Sequence, residues 1–422
     1  MSIAYEQRVF LDDVVEGTWS INQATNLVDV EGDVDISELD IIEIPISFGN
    51  VNGNFYCWCN KLTSLLNSPI SVTGDFDCHD NQLTNLEGAP KSVGGNFICR
   101  QNKLTSLSGA PQSVGFDFDC SFNELNDLIG SPILVGGVYN CAVNRLTSLK
   151  GAPKSIENNF YCSHNNLESL VGSPESVKGN FDCKYNHLTN LVGSPQSIGH
   201  HFDCGYNKLT DLKGSPTSVG YSFYCSHNQL TTLIGAPQSI VGDFNCTNNQ
   251  LTNLEGAPQS VEGYFNCSIN KLTSLVGAPQ SINGGFNCFR NKLNSLKGLP
   301  ESVGGELNCA DNNLTSLEGS PKIVGGSFYC SHNQLTTLKG APQSVEISFE
   351  CYDNKLVSLE GAPKSILVFF CIKLDEISEE HYHVIIPQID KMIESGIKLY
   401  EPDYYYYPYK EAYYNNKIIN LL

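Results

Sequence analysis

FDCHDNQLTNLEGAPKSVGGN, residues 76–96, is one unit of a 21-residue pattern that runs through most of the chain. Its cysteine, Cys78, has counterparts at Cys57, Cys99, Cys120, Cys141, Cys162, Cys183, Cys204, Cys225, Cys246, Cys267, Cys288, Cys309, Cys330 and Cys351, fifteen in all and each 21 residues from the next without an insertion. Counting from each cysteine, asparagine stands three residues on, leucine five and eight on, proline twelve on and valine or isoleucine fifteen on, in every unit. An aromatic residue precedes the cysteine by two in all units but that of Leu307, and glycine follows by ten in all but that of Asn67. In F-x-C the two apolar residues sit at period two, so they share one face of a short strand while the residue between them faces the other way. One strand per turn is therefore expected. On the far side of the unit, G-x-P-x-S removes a backbone donor and disfavours helix, which predicts extended chain and turns. A single unit cannot bury its own apolar positions, but stacked units cover each other's faces. The predicted fold is mainly β, a solenoid with a parallel sheet, a helix-free convex side and a small helical C-terminal cap.

The run from Phe76 and Cys78 through Asn81, Leu83 and Leu86 resembles the leucine-rich-repeat signature L-x-L-x-x-N-x-L. The repeat length and the proline-bearing, helix-free return are similar to the short repeats of bacterial effector proteins, and the wording of the units resembles arrays encoded by giant DNA viruses and some phages. The resemblance covers Cys57 to Phe370, about three quarters of the 422 residues. It implies a leucine-rich-repeat solenoid that works as an interaction scaffold. Bacterial effectors of this kind that carry a ligase have a large catalytic domain after the array, and with only residues 372–422 after it here, a ligase-type activity is not expected.

The flanking segments differ in composition. Residues 1–53 hold eleven acids against the single base Arg8 and read as an acidic N-terminal cap, with Gly32, Val34 and Ile36 forming a degenerate unit 21 residues before Gly53, Phe55 and Cys57. Leu39 stands there in place of the asparagine, and Gly17, Trp19 and Ile21 suggest one more strand. Residues 54–371 hold the array. Cys371 follows Cys351 by only 20 and Leu374 replaces the next asparagine, so the array is expected to stop there. Residues 372–422 read as a helical, tyrosine-rich C-terminal cap. Ser378 is the expected helix start, Ile385, Ile386, Ile389, Met392 and Ile393 the buried stripe, Pro387 a kink or the true beginning, and Gly396 the end.

Twenty-five Lys and Arg against 45 Asp and Glu give a net charge of −20, which opposes a nucleic-acid partner, since phosphate backbones are held by basic stripes. No apolar run approaches a membrane span, and the first residues lack both a basic start and an apolar stretch. These features lead us to expect a soluble, monomeric, cytoplasmic protein, in the host cytoplasm if it is viral, with a protein partner and with no nucleic acid, membrane, cofactor or metal.

The column cysteines occupy inward strand positions and are expected to be reduced core residues. The fifteen asparagines Asn60, Asn81, Asn102, Asn123, Asn144, Asn165, Asn186, Asn207, Asn228, Asn249, Asn270, Asn291, Asn312, Asn333 and Asn354 repeat too regularly for a site and read as a structural ladder that satisfies backbone groups at each turn. His200 and His201 with Asp182 and Asp203 offer metal-ligating chemistry, though solvated surface is the simpler account. No nucleophile elbow, phosphate loop or zinc-protease motif appears, so no catalytic residue is assigned. What varies between units is more telling. The position just before the cysteine reads Tyr161, Asp182, Asp203 and Tyr224 in the sixth to ninth units, and the position two after it reads His164, Tyr185, Tyr206 and His227. These eight residues form an aromatic and acidic patch on the outward face of the sheet and are the candidate protein-binding surface, tyrosine being favoured at interfaces. In units ten to thirteen the first position is the uniform polar run Asn245, Asn266, Asn287 and Asn308. The competing reading is a structural or self-assembling protein that uses the array ends or the tyrosine-rich tail.

Overall fold

The computed structural model describes residues 4–373 and 377–400. The expectations attached to Leu374 and to the tyrosine-rich tail lie outside the described residues. Each 21-residue unit forms one coil, and consecutive coils pair in parallel, Phe76 with Phe97 and Asp77 with Ile98 in the same register that recurs along the array. All the column cysteines and the leucines and phenylalanines around them are buried in a single core that runs the length of the solenoid.

Inside this core the phenylalanines stack from rung to rung, with ring centroids 5.1–5.8 Å apart. Each such aromatic pair adds about 0.5–1.5 kcal/mol beyond the area it buries. Two rungs depart from the pattern. Tyr139 keeps its place in the stack because its hydroxyl meets Ser131 Oγ at 2.6 Å, and Leu307 interrupts the stack between Phe286 and Phe328. Beside that gap, the Tyr264 hydroxyl donates to Glu306 Oε1 at 2.7 Å, two rungs away. The ring crosses Gly285, where an added Cβ would lie 2.5 Å from Tyr264 Cε2.

Each coil carries two short strands, where the sequence pattern led us to expect one. The second is the Ser-Val dipeptide, as in Ser71–Val72 and Ser92–Val93, which pairs with its neighbours in parallel along the flank. Its valine points inward and its serine outward, the same period-two logic that governs F-x-C. This second ladder is interrupted after Val135, Val219 and Ile282, whereas the phenylalanine-bearing ladder is continuous. The glycine ten residues after each cysteine has a left-handed backbone, as at Gly88 with φ +93°. Asn67 takes that position with φ +73°, which asparagine tolerates better than other residues with a side chain.

At the N-terminal end, helix α1 (Tyr5–Val14) leads into strand β1 (Val15–Ile21), which pairs antiparallel with β2 (Val28–Asp35) over its whole length. The helix was not foreseen from the sequence. Gly17 lies opposite Gly32, where a Cβ on either would sit about 2.2 Å from the facing carbonyl. Strand β2 continues the parallel ladder through Val34 and Phe55, and β3 (Phe48–Asn52) pairs with both β2 and Ser71–Val72.

At the other end the register does not fail at Cys371. Phe370 pairs with Phe349 and Cys371 with Glu350, so the column position is filled by buried Ile372, 21 residues after Cys351. Cys371 is a neighbour of the column and not its member. One further strand, Leu399–Tyr400, pairs with Phe370–Cys371 after an intervening helix. That helix, α2 (Tyr382–Glu394), follows a short 3₁₀ turn at Glu379–His381 and contains Pro387 in its interior. Ser378 makes no capping bond to the helix backbone; its hydroxyl pairs with His381 Nδ1 and Glu380 Oε1. Ile385, Ile389 and Met392 are buried, but Ile386 is only partly covered and Ile393 is 45% exposed, because the buried face is a narrow i, i+4, i+7 stripe. Gln388 on this helix accepts from the Leu359 backbone N–H at 2.7 Å and ties the cap to the last full rung.

Candidate protein-binding face

The turn that follows each strand sets out the candidate residues. Behind the face, every one of the fifteen asparagines donates through Nδ2 to the carbonyl of its own column residue and to that of the preceding rung, at 2.8–3.2 Å. Each Oδ1 accepts from a backbone N–H of the preceding rung, as Leu188 N–H donates to Asn207 Oδ1 at 2.9 Å. In the first rung Asn60 does the same for the cap, accepting from Leu39 and Ile41. With a further Nδ2 contact to the carbonyl of the residue after the cysteine, at 3.1–3.4 Å, four bonds per side chain hold a tight turn, and the residue just before each asparagine is left-handed, with φ between +50° and +56° in all fifteen rungs. None of those fifteen is glycine. For residues such as Val143 and Ile269 this conformation costs about 1–2 kcal/mol, and Tyr185 and Tyr206 share it.

Because the left-handed turn swings these side chains outward, His164, Tyr185, Tyr206 and His227 form one stacked row, with centroids 4.4, 4.2 and 4.1 Å apart in succession and ring planes within 15°. Tyr185 and Tyr206 are each 40% exposed. A hydrogen bond with Tyr206 holds the Tyr185 phenol above its usual range. Burial lowers the His227 pKa from its ordinary value, and its Nδ1 has no hydrogen-bond partner. The second row pairs in register along the strands, Tyr161 with Asp182, Asp182 with Asp203, and Asp203 with Tyr224, and all four are half-buried. The fold thus gathers all eight residues on four adjacent rungs.

Two properties of this second row depart from the expectation that it is free to serve a partner. In nine rungs an Asp or Asn there accepts from the backbone N–H two residues on at 2.9–3.1 Å, an Asx turn that fixes the corner. Asp182 and Asp203 belong to this set, as do the four asparagines Asn245, Asn266, Asn287 and Asn308. The two carboxylates also share Lys184, whose Nζ lies 3.2 Å from Asp182 and 3.9 Å from Asp203. Burial acts to lower the Lys184 pKa, but Asp182 and then Asp203 outweigh it and keep the ammonium charged. Burial raises Asp203, with Asp182 adding to it against the opposing Gly205 N–H bond and Lys184. The patch is therefore aromatic, with one of its two carboxylate charges offset by Lys184. Tyr161 and Tyr224 carry no such turn bond among the described contacts.

His201 packs edge-on to Tyr221 and face-on to Tyr224 at centroid distances of 5.1 and 5.9 Å. Among the described residues no group of three or more His, Cys, Asp or Glu side chains is placed to hold a metal ion. The column cysteines from Cys57 to Cys330 are buried free thiols, Cys351 and Cys371 are buried as well, and Cys59 is half-buried, its Sγ donating to Asp80 at 3.4 Å. Cys141, Cys183 and Cys204 donate to the carbonyls of Tyr161, Asp203 and Tyr224 at 3.3–3.4 Å. No helix among the described residues is long and apolar enough to cross a membrane.

Sequence reasoning missed Lys184, and it missed Phe122 and Val143, which extend the left-handed row toward the N-terminus. Reading the second position after each cysteine through the whole array, as was done for the position before it, exposes both residues. A third side-chain ladder, three residues before the cysteines, was also overlooked. Asp33, Asn54, Asp75, Asn96 and Asp117 each accept from the backbone of the next rung at 2.7–3.0 Å.

No protein-family model and no curated protein matches the chain. Among solved structures, YopM from Yersinia enterocolitica WA-314 is 20% identical, with a TM-score of 0.54 over 88% of this chain and 91% of that one. YopM from Yersinia pestis, titled a leucine-rich effector protein, is 20% identical, with a TM-score of 0.40 over 88% of each chain. The functional domain of InlJ from Listeria monocytogenes, titled as including a cysteine ladder, is 22% identical, with a TM-score of 0.38 over 68% of this chain and 64% of that one. The parallel coils, the asparagine ladder and the likeness to the first of these solenoids together establish that the chain folds as a leucine-rich-repeat solenoid.

Proposed function

We propose that the protein is a non-catalytic scaffold that holds a protein partner on the outward face of rungs six to nine and acts as a monomer. The fold is one typical of interaction scaffolds. The observation that carries the reading is the stacked row of His164, Tyr185, Tyr206 and His227, where aromatic edges are presented to solvent although the stack is no part of the core. Truncating central aromatics at an interface often costs about 2 kcal/mol or more. Tyr185→Ala combined with Tyr206→Ala is expected to abolish capture of the partner in affinity purification while leaving the melting temperature within about 2 °C. A double variant that retains every protein captured by the wild type rejects this face. Lys184 offsets only one of the two carboxylate charges of Asp182 and Asp203, so a net negative charge stays on the face and capture is expected to weaken as salt rises. The buried free thiols support a reducing compartment such as the cytoplasm.

A further inference from the structure

The left-handed row continues the aromatic stack into an apolar ridge. Phe122, Val143, His164, Tyr185, Tyr206 and His227 occupy this position on six consecutive rungs, preceded by Asp80 and Gln101 and followed by Asn248. Phe122 is 54% exposed, and the row as a whole stands out from the core. The outward positions on either side of the ridge carry opposite charge. Just before the cysteines stand five acids and no base: Asp77, Asp119, Asp182, Asp203 and Glu350. Four residues after the cysteines stand seven bases, Lys61, Lys103, Arg145, Lys208, Lys271, Lys292 and Lys355, against the one acid Glu124. Beside the six rungs of the ridge this leaves Asp119, Asp182 and Asp203 on one side, the last two sharing Lys184, and Arg145 and Lys208 on the other, with Glu124 paired to Arg145, so the ridge runs between a net acidic and a net basic flank.

We propose that this ridge docks an amphipathic helix of the partner, which lays an apolar stripe along it with acidic residues toward the basic row and basic residues toward the acidic row. The proposal rests on the scaffold reading above and names the chemistry of what that face would hold. The pitch of the array favours a helix. Neighbouring rungs repeat at about 4.8 Å, close to the 5.4 Å turn of a helix and far from the roughly 6.7 Å between same-face residues of an extended strand. Six rungs span about 24 Å, the length of about 16 helical residues. Helix docking by an apolar stripe is a recurrent mode of recognition, and flanking charge sets its direction.

The test uses the full chain and a set of fluorescent synthetic helical peptides with one common Leu/Trp stripe, read by anisotropy. One peptide carries Glu on one flank and Lys on the other, one has the same residues scrambled over both flanks, and two carry a single sign on both. The segregated peptide is expected to bind about tenfold or more tighter than the others, and to lose about tenfold or more with Tyr185→Ser/Tyr206→Ser. Asp311→Asn, in the same row beyond the ridge, should leave binding unchanged. Equal affinity for segregated and scrambled peptides, binding indifferent to the double variant, or no binding by any peptide overturns the helical occupant. If the peptides fail while Tyr185→Ala/Tyr206→Ala still strips the partner in capture, the scaffold face stands and only its occupant falls. If capture itself is untouched by that variant, the face is rejected whatever the peptides do.

Discussion

At the scale of the residue, the array is governed by the asparagine whose four bonds close each turn. Asn207 is 8% exposed and bonds the carbonyls of Cys183, Cys204 and Gly205 and the N–H of Leu188. Asn207→Ala leaves those groups unpaired in the interior and should lower stability by about 1–3 kcal/mol in denaturant unfolding, while Lys208→Ala beside it should lower it by less than about 0.5 kcal/mol. An unchanged midpoint for Asn207→Ala would show that water replaces the amide. The left-handed residue before each asparagine leads to the opposite expectation. Val143 has φ +56°, which a β-branched side chain resists and asparagine accepts. Val143→Asn should therefore raise the unfolding free energy by about 0.5–1 kcal/mol in denaturant titration, and a loss of stability would mean that the valine's contacts outweigh its strain. The ladder asparagine was legible in the sequence because it never varies. The Asx turn before the cysteine was not, because Asp and Asn alternate there with Tyr and Ile, and a bond that either Asx residue can make looks like drift.

At the scale of the element, the cysteine column behaves as one unit because its thiols share one environment. Burial pushes the column thiols from Cys57 to Cys330 above their usual value, Cys288 to about 12 and Cys204 well above the ordinary range, with Asp203 adding to the effect at Cys204. In the unfolded chain the same thiols ionise near pH 8.5–9. Below that, both states stay protonated and the shift has no effect on stability. Above it, the unfolded state loses protons that the folded state keeps, so stability falls as pH rises. One pH unit above the unfolded value, each fully buried thiol contributes a loss of about 1.4 kcal/mol. The fourteen column thiols from Cys57 to Cys330 together exceed the 5–15 kcal/mol typical of a folded domain. We expect circular dichroism to show cooperative unfolding between about pH 9 and pH 10, at an alkaline midpoint that rises when Cys204 and Cys225 are both replaced by Ala. A fold that survives well past that range would mean that the column opens to solvent without the array unfolding. The strands around this column were readable from period two alone, and the Ser-Val strand shows the same period but was hidden by its neighbours Gly and Pro. Helix α1 had no such signal, since a single amphipathic turn around Leu11 at an acidic terminus repeats nothing.

At the scale of the whole molecule, stability is a sum over coils and their contacts with the next, so the length of the array is adjustable in whole units only. Removing residues 226–246 joins Cys225 to Thr247 with every row still in phase, and the protein should fold with a slightly lower midpoint. A deletion one residue shorter turns the inward residues outward and should give no soluble folded protein, as judged by circular dichroism and gel filtration. If both deletions fold alike, the coils are not locked in register. The solenoid was legible at this scale from the spacing of cysteines, whereas the closing strand Leu399–Tyr400 was not, because it lies outside the repeat and is separated by α2 from its partner Phe370–Cys371. The irregular rungs acquire a role from the same periodicity. A segment displaced by one coil during folding would still find asparagine, leucine and phenylalanine in every expected place, so the repeated contacts cannot tell a correct pairing from a shifted one. Tyr264 reaches Glu306 over Gly285 at one address only. It acts as a key that matches a single alignment of the chain with itself, so an array evened out to its own consensus would melt no sooner but would lose its way more often when refolding from denaturant.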